Sequence, residues 1–403
     1  MSDMNIEIID ESEQFNLGTQ IKVIGVGGGG GNAVEHMIAR NVQGAEFICA
    51  NTDAQALSRS SANRKIQLGR TGLGAGSMPE RGREAAEAAE AQIREALSGA
   101  HMLFITAGMG GGTGTGAAPV IARIAREMKV LTVAVVTKPF EWEGGRRVAN
   151  ADLGLTELEA NVDSLIVVLN DKLQDVLGED VTQAEAFAYA NDVLKNAVGG
   201  IAEIITTAGE VNMDFADVST VMREQGKAMM GTATASGVDR ARIAAEQAVA
   251  SPLLDGIDLS GARGVLVNVT ASRSLKGKEI KEVMATVRAF AAADASIAQG
   301  IAYDDNMGDD IRVTVVATGL GKRKTVQLVQ TPVMRTGTHN EPLQANAVQH
   351  AAHAHAQPAQ QQFEGLKAPA VWRRESASET VRALEKNGME TYDIPAFLRK
   401  QAD

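Results

Sequence analysis

Two glycine-dense junctions constrain this chain more than any other feature. The apolar run "IKVIGV" (21 to 26) enters "GGGGGNAV", and "MLFITAGM" (102 to 109) enters "GGGTGTG", Gly110 to Gly116. Each lies between a run with strand character and a segment with helical periodicity, the setting in which glycine lets a backbone approach an anion or a neighbouring element closely. Further short, β-branched runs follow the same alternation: "AEFICAN" (45 to 51), "VLTVAVVT" (130 to 137) and "SLIVVLN" (164 to 170). Their length and bounded ends predict buried parallel strands. Between them, "NAVEHMIAR" places Val34, Met37 and Ile38 on one helical face, and "PERGREAAEAAEAQIREAL" opens with Pro79 near a first turn. Alternation of this kind specifies an α/β fold with a Rossmann-like, doubly wound parallel sheet.

The first junction satisfies G-x-G-x-x-G at Gly25, Gly27 and Gly30 in the strand-to-helix setting that the pattern requires. Alone it suits a dinucleotide, with Asp53 in "ANTDA" as the acid for a ribose, somewhat later than the usual spacing. The second junction shifts the balance, because its amides and the Thr113 and Thr115 hydroxyls would face the same crevice outside the strand ends. Two converging glycine loops suit a triphosphate better than a nicotinamide dinucleotide. No G-x-x-x-x-G-K-[ST] occurs. Phosphate charge would therefore fall to backbone amides, helix N-termini, Mg²⁺ and an arginine. A purely structural use, close strand–helix packing, stays open beside this reading.

Residues 182 to 208, "TQAEAFAYANDVLKNAVGGIAEIITTA", read as one long central helix despite Gly199 and Gly200. Beyond it come helical patterns near 216 to 230, 238 to 250 and 276 to 292, and strands at 264 to 270, 296 to 303 and 311 to 320. The expected organisation is a flexible acidic arm (1 to 20), a nucleotide-binding domain (21 to 181), the central helix (182 to 208) and a second, smaller α/β domain (209 to 323). A linker low in large apolar residues (324 to 387) and a terminal peptide (388 to 403) complete it. In that peptide Ile394, Phe397 and Leu398 form an apolar stripe suited to docking on a partner. His350, His353 and His355 lie in the linker without accompanying ligands and read as solvated side chains, so no metal site is assigned.

A net charge of -11 opposes direct nucleic-acid binding, which needs clustered Lys and Arg. The single cysteine, Cys49, has no disulfide partner and reads as a small buried thiol, which suits a cytosolic setting. The N-terminal segment is acidic, unlike a signal peptide, and no apolar run reaches the roughly 18 residues of a membrane span. Membrane association is expected only through partners.

"GGGTGTG" resembles the tubulin-superfamily signature. Together with "GVGGGGGNAV", "NTDAQAL", "TKPFEWEGGRR", "NDKL", "ANDVLK" and "NMDFADV", it makes residues 20 to 320 closely similar to the FtsZ family of bacterial cell-division proteins. The ending "DIPAFLRKQAD" resembles that family's anchor peptide. The resemblance implies binding of GTP and GDP, head-to-tail assembly into filaments of the division ring at midcell, and hydrolysis completed where two subunits meet. It also implies docking of Asp393 to Lys400 on FtsA-type and ZipA-type membrane tethers.

Carried onto this sequence, the resemblance makes Gly28, Gly29, Gly30, Gly31 and Asn32 the first nucleotide loop, and puts Gly112, Thr113 and Gly114 at the centre of the phosphate loop. Glu143 and Arg147 match a pair near ribose and phosphates, although their spacing alone is that of an i, i+4 surface salt bridge. Asn170 and Asp192 match guanine-reading residues. A carboxylate at 192 suits that role, since it accepts from guanine N1–H and the exocyclic amine, whereas adenine N1 is an acceptor. Phe187, five residues earlier, is placed to stack on the base or to fill a core. Asn212, Asp214 and Asp217 lie where helix-capping acids are common. By resemblance they face the next subunit's γ-phosphate, the two aspartates positioning the attacking water and Asn212 supporting the loop. Met213 and Trp142 depart from the family's commoner residues at their positions.

Overall fold

The computed structural model describes residues 18–178, 180–206, 214–224, 227–251, 262–292 and 294–320. All but residues 18 to 20 of the expected arm, and the whole of the linker and the terminal peptide, lie outside them, as do Asn212 and Met213. The chain opens with β1 (Ile21–Val26), α1 (Gly27–Ala39), β2 (Glu46–Asn51), α2 (Ala54–Arg59) and β3 (Arg64–Gln67). It continues through α3 (Pro79–Ala88), α4 (Glu90–Leu97), β4 (Met102–Gly108), α5 (Thr113–Glu127), β5 (Leu131–Lys138), α6 (Gly145–Glu159), β6 (Ser164–Leu169) and α7 (Asn170–Leu177). The helix α8 (Gln183–Thr206) leads to α9 (Phe215–Met222), β7 (Lys227–Ala235), α10 (Arg240–Val249), β8 (Gly264–Ala271), α11 (Gly277–Phe290), β9 (Ser296–Tyr303) and β10 (Ile311–Leu320).

The strands form one sheet in the order β3-β2-β1-β4-β5-β6-β7-β10-β8-β9. Its first six strands are parallel and repeat the 3-2-1-4-5-6 order of dinucleotide-binding folds. Strand order reverses between β1 and β4, with successive strands added outward on either side, so the crevice outside their carboxyl ends is the topological switch point. Both glycine junctions open there. A narrow seam, Leu165↔Lys227 and Ile166↔Ala228, joins β6 to β7. Beyond it the sheet is mixed, with β10 antiparallel to both β7 and β8 and β9 parallel to β8.

Alternate residues of the parallel strands feed opposite cores. On β1, Val23 joins the core with Met37 of α1 and Leu194 and Val198 of α8, whereas Ile24 joins Ile93 of α4 and Ile121 of α5. The α8 core also takes in Leu266 of β8 and Val316 of β10, so this one helix packs against both halves of the sheet. A third core lies beneath α10 and α11.

Two elements depart from the sequence expectations. The helical pattern near 216 to 230 ends at Met222, and "KAMMGTATA" is the strand β7. Lys, Ala and Met favour helices locally, but the ladder partners of β7, such as Ile311↔Ala235 and Val315↔Gly231, arrive about eighty residues later and override that preference. The Ala- and Glu-rich helix beginning at Pro79 is broken at Ala89, whose φ of -100° and ψ of 10° separate α3 from α4. Nothing in the local sequence marks that break.

Candidate nucleotide site

The glycines of the two junctions divide by what surrounds them. A Cβ on Gly30 would press into the Thr106 carbonyl of β4 and lie 3.0 Å from the Gly25 carbonyl carbon of β1. One on Gly114 would lie 2.6 Å from the Gly108 oxygen, and one on Gly112 2.8 Å from Ala75 Cβ. These positions hold backbones in contact, so the packing reading applies to them. By contrast, a Cβ on Gly28 or Gly111 would meet nothing within 4 Å. Their backbone is open to a ligand.

Both helix N-termini are left ready for an anion. Neither α1 nor α5 has a side-chain cap or an acid in its first turn, so the unpaired amides and positive dipole ends of both are uncompensated at the crevice. The loop before α5 is braced internally. Thr113 Oγ1 lies 2.6 Å from Thr52 Oγ1 at the end of β2, and Thr115 Oγ1 accepts the Gly110 amide at 2.8 Å. The expectation that Thr115 faces the crevice is thus corrected: it is buried, and its oxygen shapes the loop.

The cleft is walled by Gly29 and Asn32 of α1, Gly108 at the end of β4 and Met109 after it, Thr137 near the end of β5, Asn170 after β6, and Phe187 and Asn191 of α8. Glu143 and Arg147 also line it. Their 2.8 Å ion pair shows that the i, i+4 bridge and a place in the cleft coexist. Glu143 further accepts the Phe140 amide at 3.0 Å, which ties the pair to the rim. There Phe140 stacks on Trp142 at 5.0 Å, and Phe187 meets Phe140 edge-on at 5.4 Å. Phe187 is 37% exposed, so the buried-core alternative for it does not hold.

Asn170 is 2% exposed and its Oδ1 has no hydrogen-bond partner among the described residues. A buried carbonyl left this way costs about 1–3 kcal/mol, and it faces a cleft into which a ligand donor fits. Asp192 stands beside Asn191 but points to α1, its Oδ1 2.8 Å from His36 Nε2. Asp53, the acid of the dinucleotide alternative, is instead the N-cap of α2 and accepts the Gln55 and Ala56 amides. On the far side of α1, burial pushes the Cys49 thiol up, as expected for an unreactive cysteine. Burial also pushes Glu35 up, but hydrogen bonds from the Ser60 hydroxyl and Ser61 amide outweigh it and hold the carboxyl below its ordinary range.

Asp214 and Asp217 lie elsewhere. Both are exposed at the start of α9, and Asp214 occupies the N-cap position without making a side-chain cap bond. Phe215 between them packs edge-on against His101, at 6.3 Å, just before the first residue of β4. The glycine loop leaves the other end of that strand. Seven residues of strand span roughly 20 Å, so these carboxylates and the cleft occupy opposite edges of the sheet.

The GTPase domain of the tubulin/FtsZ family matches residues 20–178, and the FtsZ family C-terminal domain matches 226–321. The cell division protein FtsZ of Pseudomonas aeruginosa is 50% identical over 405 residues, covering 98% of this chain and 100% of that protein. The chain belongs to the FtsZ family. The FtsZ of Coxiella burnetii is also 50% identical, over 94% of this chain and 96% of its own length. A solved FtsZ dimer from M. jannaschii superposes with a TM-score of 0.73 at 41% identity, covering 77% of this chain and 90% of that one. As an FtsZ, the chain has a tubulin-like GTPase domain that binds and hydrolyses GTP. No described helix is long and apolar enough to cross a membrane.

Thr137, Gly108, Asn191 and His36 were not singled out by sequence reasoning. Thr137 and Gly108 had an available signal, since each ends a strand next to the switch point, where ligands of such sheets bind. Asn191 lies inside the quoted motif "ANDVLK", whereas His36 carried no signal, being a single polar residue on a helix.

Proposed function

We propose that this FtsZ is a GTP-driven polymer former whose hydrolytic site is shared between successive subunits. The observation that carries the reading is the separation just described. The nucleotide cleft lies at the carboxyl edge of the parallel strands, and two exposed, uncapped carboxylates lie at the amino edge. A head-to-tail contact brings those two edges together, and being heterologous it propagates into an open filament.

In this reading guanine lies between Phe187 and Asn170, with Asp192 accepting from its N1–H and amine. Glu143 and Arg147 hold the ribose side. Gly28 to Gly31, Asn32, and Gly112 to Gly114 with Thr113 surround the phosphates at the two helix N-termini. Asp214 and Asp217 of the adjoining subunit orient the attacking water, with Asn212 supporting their loop. Mg²⁺ fits as a counter-ion carried by phosphate oxygens and water, because no cluster of ligating side chains occurs among the described residues; it would neutralise phosphate charge. The filament builds the division ring at midcell in the cytoplasm, and Asp393 to Lys400 reach FtsA-type and ZipA-type tethers, the membrane being met only through them.

The test is GTPase rate per molecule against protein concentration, for wild type and Asp214→Ala. Wild-type specific activity is expected to rise with concentration, and the variant to bind GTP normally while losing most turnover. Concentration-independent turnover by a strict monomer overturns the shared site. Deleting residues 388 to 403 should leave GTPase and polymer intact and abolish tether binding.

A further inference from the structure

We propose that His36 is a positioning residue that sets guanine selectivity by holding the Asp192 carboxylate. The inference rests on the reading of Asp192 as the acceptor for guanine. His36 Nε2 lies 2.8 Å from Asp192 Oδ1, with the imidazole and carboxylate side chains 19% and 37% exposed. A carboxylate only accepts, so Nε2 carries the hydrogen of this bond. The pair bridges α1 and α8 beside residues that line the cleft. Asn32, one turn before His36, lines the cleft, and so do Ala190, Asn191 and Leu194 around Asp192.

Guanine presents two donors side by side, N1–H and the exocyclic amine, and both oxygens of one carboxylate are needed to meet them. The terminal torsion of an aspartate is broad and roughly two-fold, so an untethered Asp192 samples orientations that meet one donor and miss the other. The imidazole bond occupies one lone pair of Oδ1 and fixes the carboxylate plane. Oδ2 and the second lone pair of Oδ1 are left for the base. His36 thereby acts on selectivity without touching nucleotide.

The experiment measures displacement of a fluorescent GTP analogue from nucleotide-free, monomeric full-length protein by GTP and by ITP, whose base keeps N1–H but lacks the amine. His36→Leu keeps comparable bulk and removes the donor. It is expected to weaken GTP about tenfold and ITP much less, so that the preference narrows. His36→Gln, with an amide N–H of similar reach, should restore most of it. Should His36→Leu fail to fold, His36→Asn, whose donor falls short, should reproduce the narrowing. A parallel fall in GTP and ITP affinity, or a glutamine variant no better than the leucine or asparagine one, overturns the proposal and makes the pair a simple interhelical tie. Asp192→Asn separates the two layers. An unchanged GTP to ITP ratio there refutes the role of Asp192 itself, and with it this proposal. A lost ratio there, with a normal one in His36→Leu, refutes the role of His36 alone.

Discussion

Gly28 and Gly30 sit two residues apart in one glycine run, and replacing each by alanine should give opposite outcomes. At Gly30 the added methyl would lie 3.0 Å from the Gly25 carbonyl carbon and 3.1 Å from that of Thr106, with the Thr106 oxygen closer still. All three are backbone atoms of buried central strands, which cannot swing aside as a side chain would. Overpacking of this kind costs about 1–3 kcal/mol, and two opposed backbone walls put Gly30→Ala at the upper end, about 3 kcal/mol. At about 2 °C per kcal/mol for a folded unit of this size, the melting temperature should fall by roughly 6 °C. At Gly28 the methyl would meet nothing within 4 Å. Alanine is the better helix former, so Gly28→Ala should melt at or slightly above wild type. In the proposed site its methyl stands where a phosphate approaches the helix amides, so on that reading GTP affinity should drop by about tenfold or more. Thermal melts of the nucleotide-free proteins, paired with GTP titrations, read both effects. A wild-type melting temperature for Gly30→Ala refutes the division of the run into packing and ligand-facing positions. So would a Gly28→Ala protein that is less stable yet binds GTP normally.

Asn170→Leu should melt no lower than wild type without nucleotide, because it removes a buried carbonyl that lacks a partner among the described residues, and it should lose most of the upward shift that GTP gives wild type. Melts with and without GTP check this; a normal GTP-induced shift would show that Asn170 is not used. In the C-terminal half, Arg240 is buried and donates to both oxygens of Glu279 and to the Asp309 carbonyl. Arg240→Met leaves the Glu279 carboxylate without its guanidinium partner, keeping only the Lys276 amide, and should cost about 3 kcal/mol in urea unfolding, whereas Arg240→Met with Glu279→Leu should recover much of the loss. The Arg240 hydrogen bond holds the Glu279 carboxyl below its ordinary value of 4.5, despite an opposing push from burial. A depressed carboxyl contributes stability above that value and loses it as pH falls through the folded pKa. Wild type should therefore lose stability below about pH 4.5 more steeply than the double variant, and parallel acid-unfolding curves would remove Glu279 from the account.

What was legible in the sequence is what depends on neighbours along the chain. β1, β4, β8, β9 and β10 lie within one residue of the apolar runs that announced them, because a buried parallel strand or an interior ladder needs a short, β-branched run whatever surrounds it. The glycine junctions likewise declared a switch-point crevice, since a strand that turns at once into a helix must do so at the strand's carboxyl end. β7 was not legible, because its ladder partners lie far along the chain and its own residues favour a helix. Nor could spacing tell Gly28 from Gly30. One faces open space and the other faces Thr106, a difference created when β4 inserts beside β1. The same holds for the site's polar residues. The sequence by itself determined that two glycine loops share a crevice, and the family resemblance named the side chains around it. Tertiary structure alone decided that the Asn170 oxygen is buried without a partner among the described residues, that Asp192 is tied to His36 and that Asp53 is spent as a cap. It also put Asp214 and Asp217 a strand's length from the loops, because only the packing of helices on a sheet brings residues distant in sequence within a hydrogen bond or holds them apart.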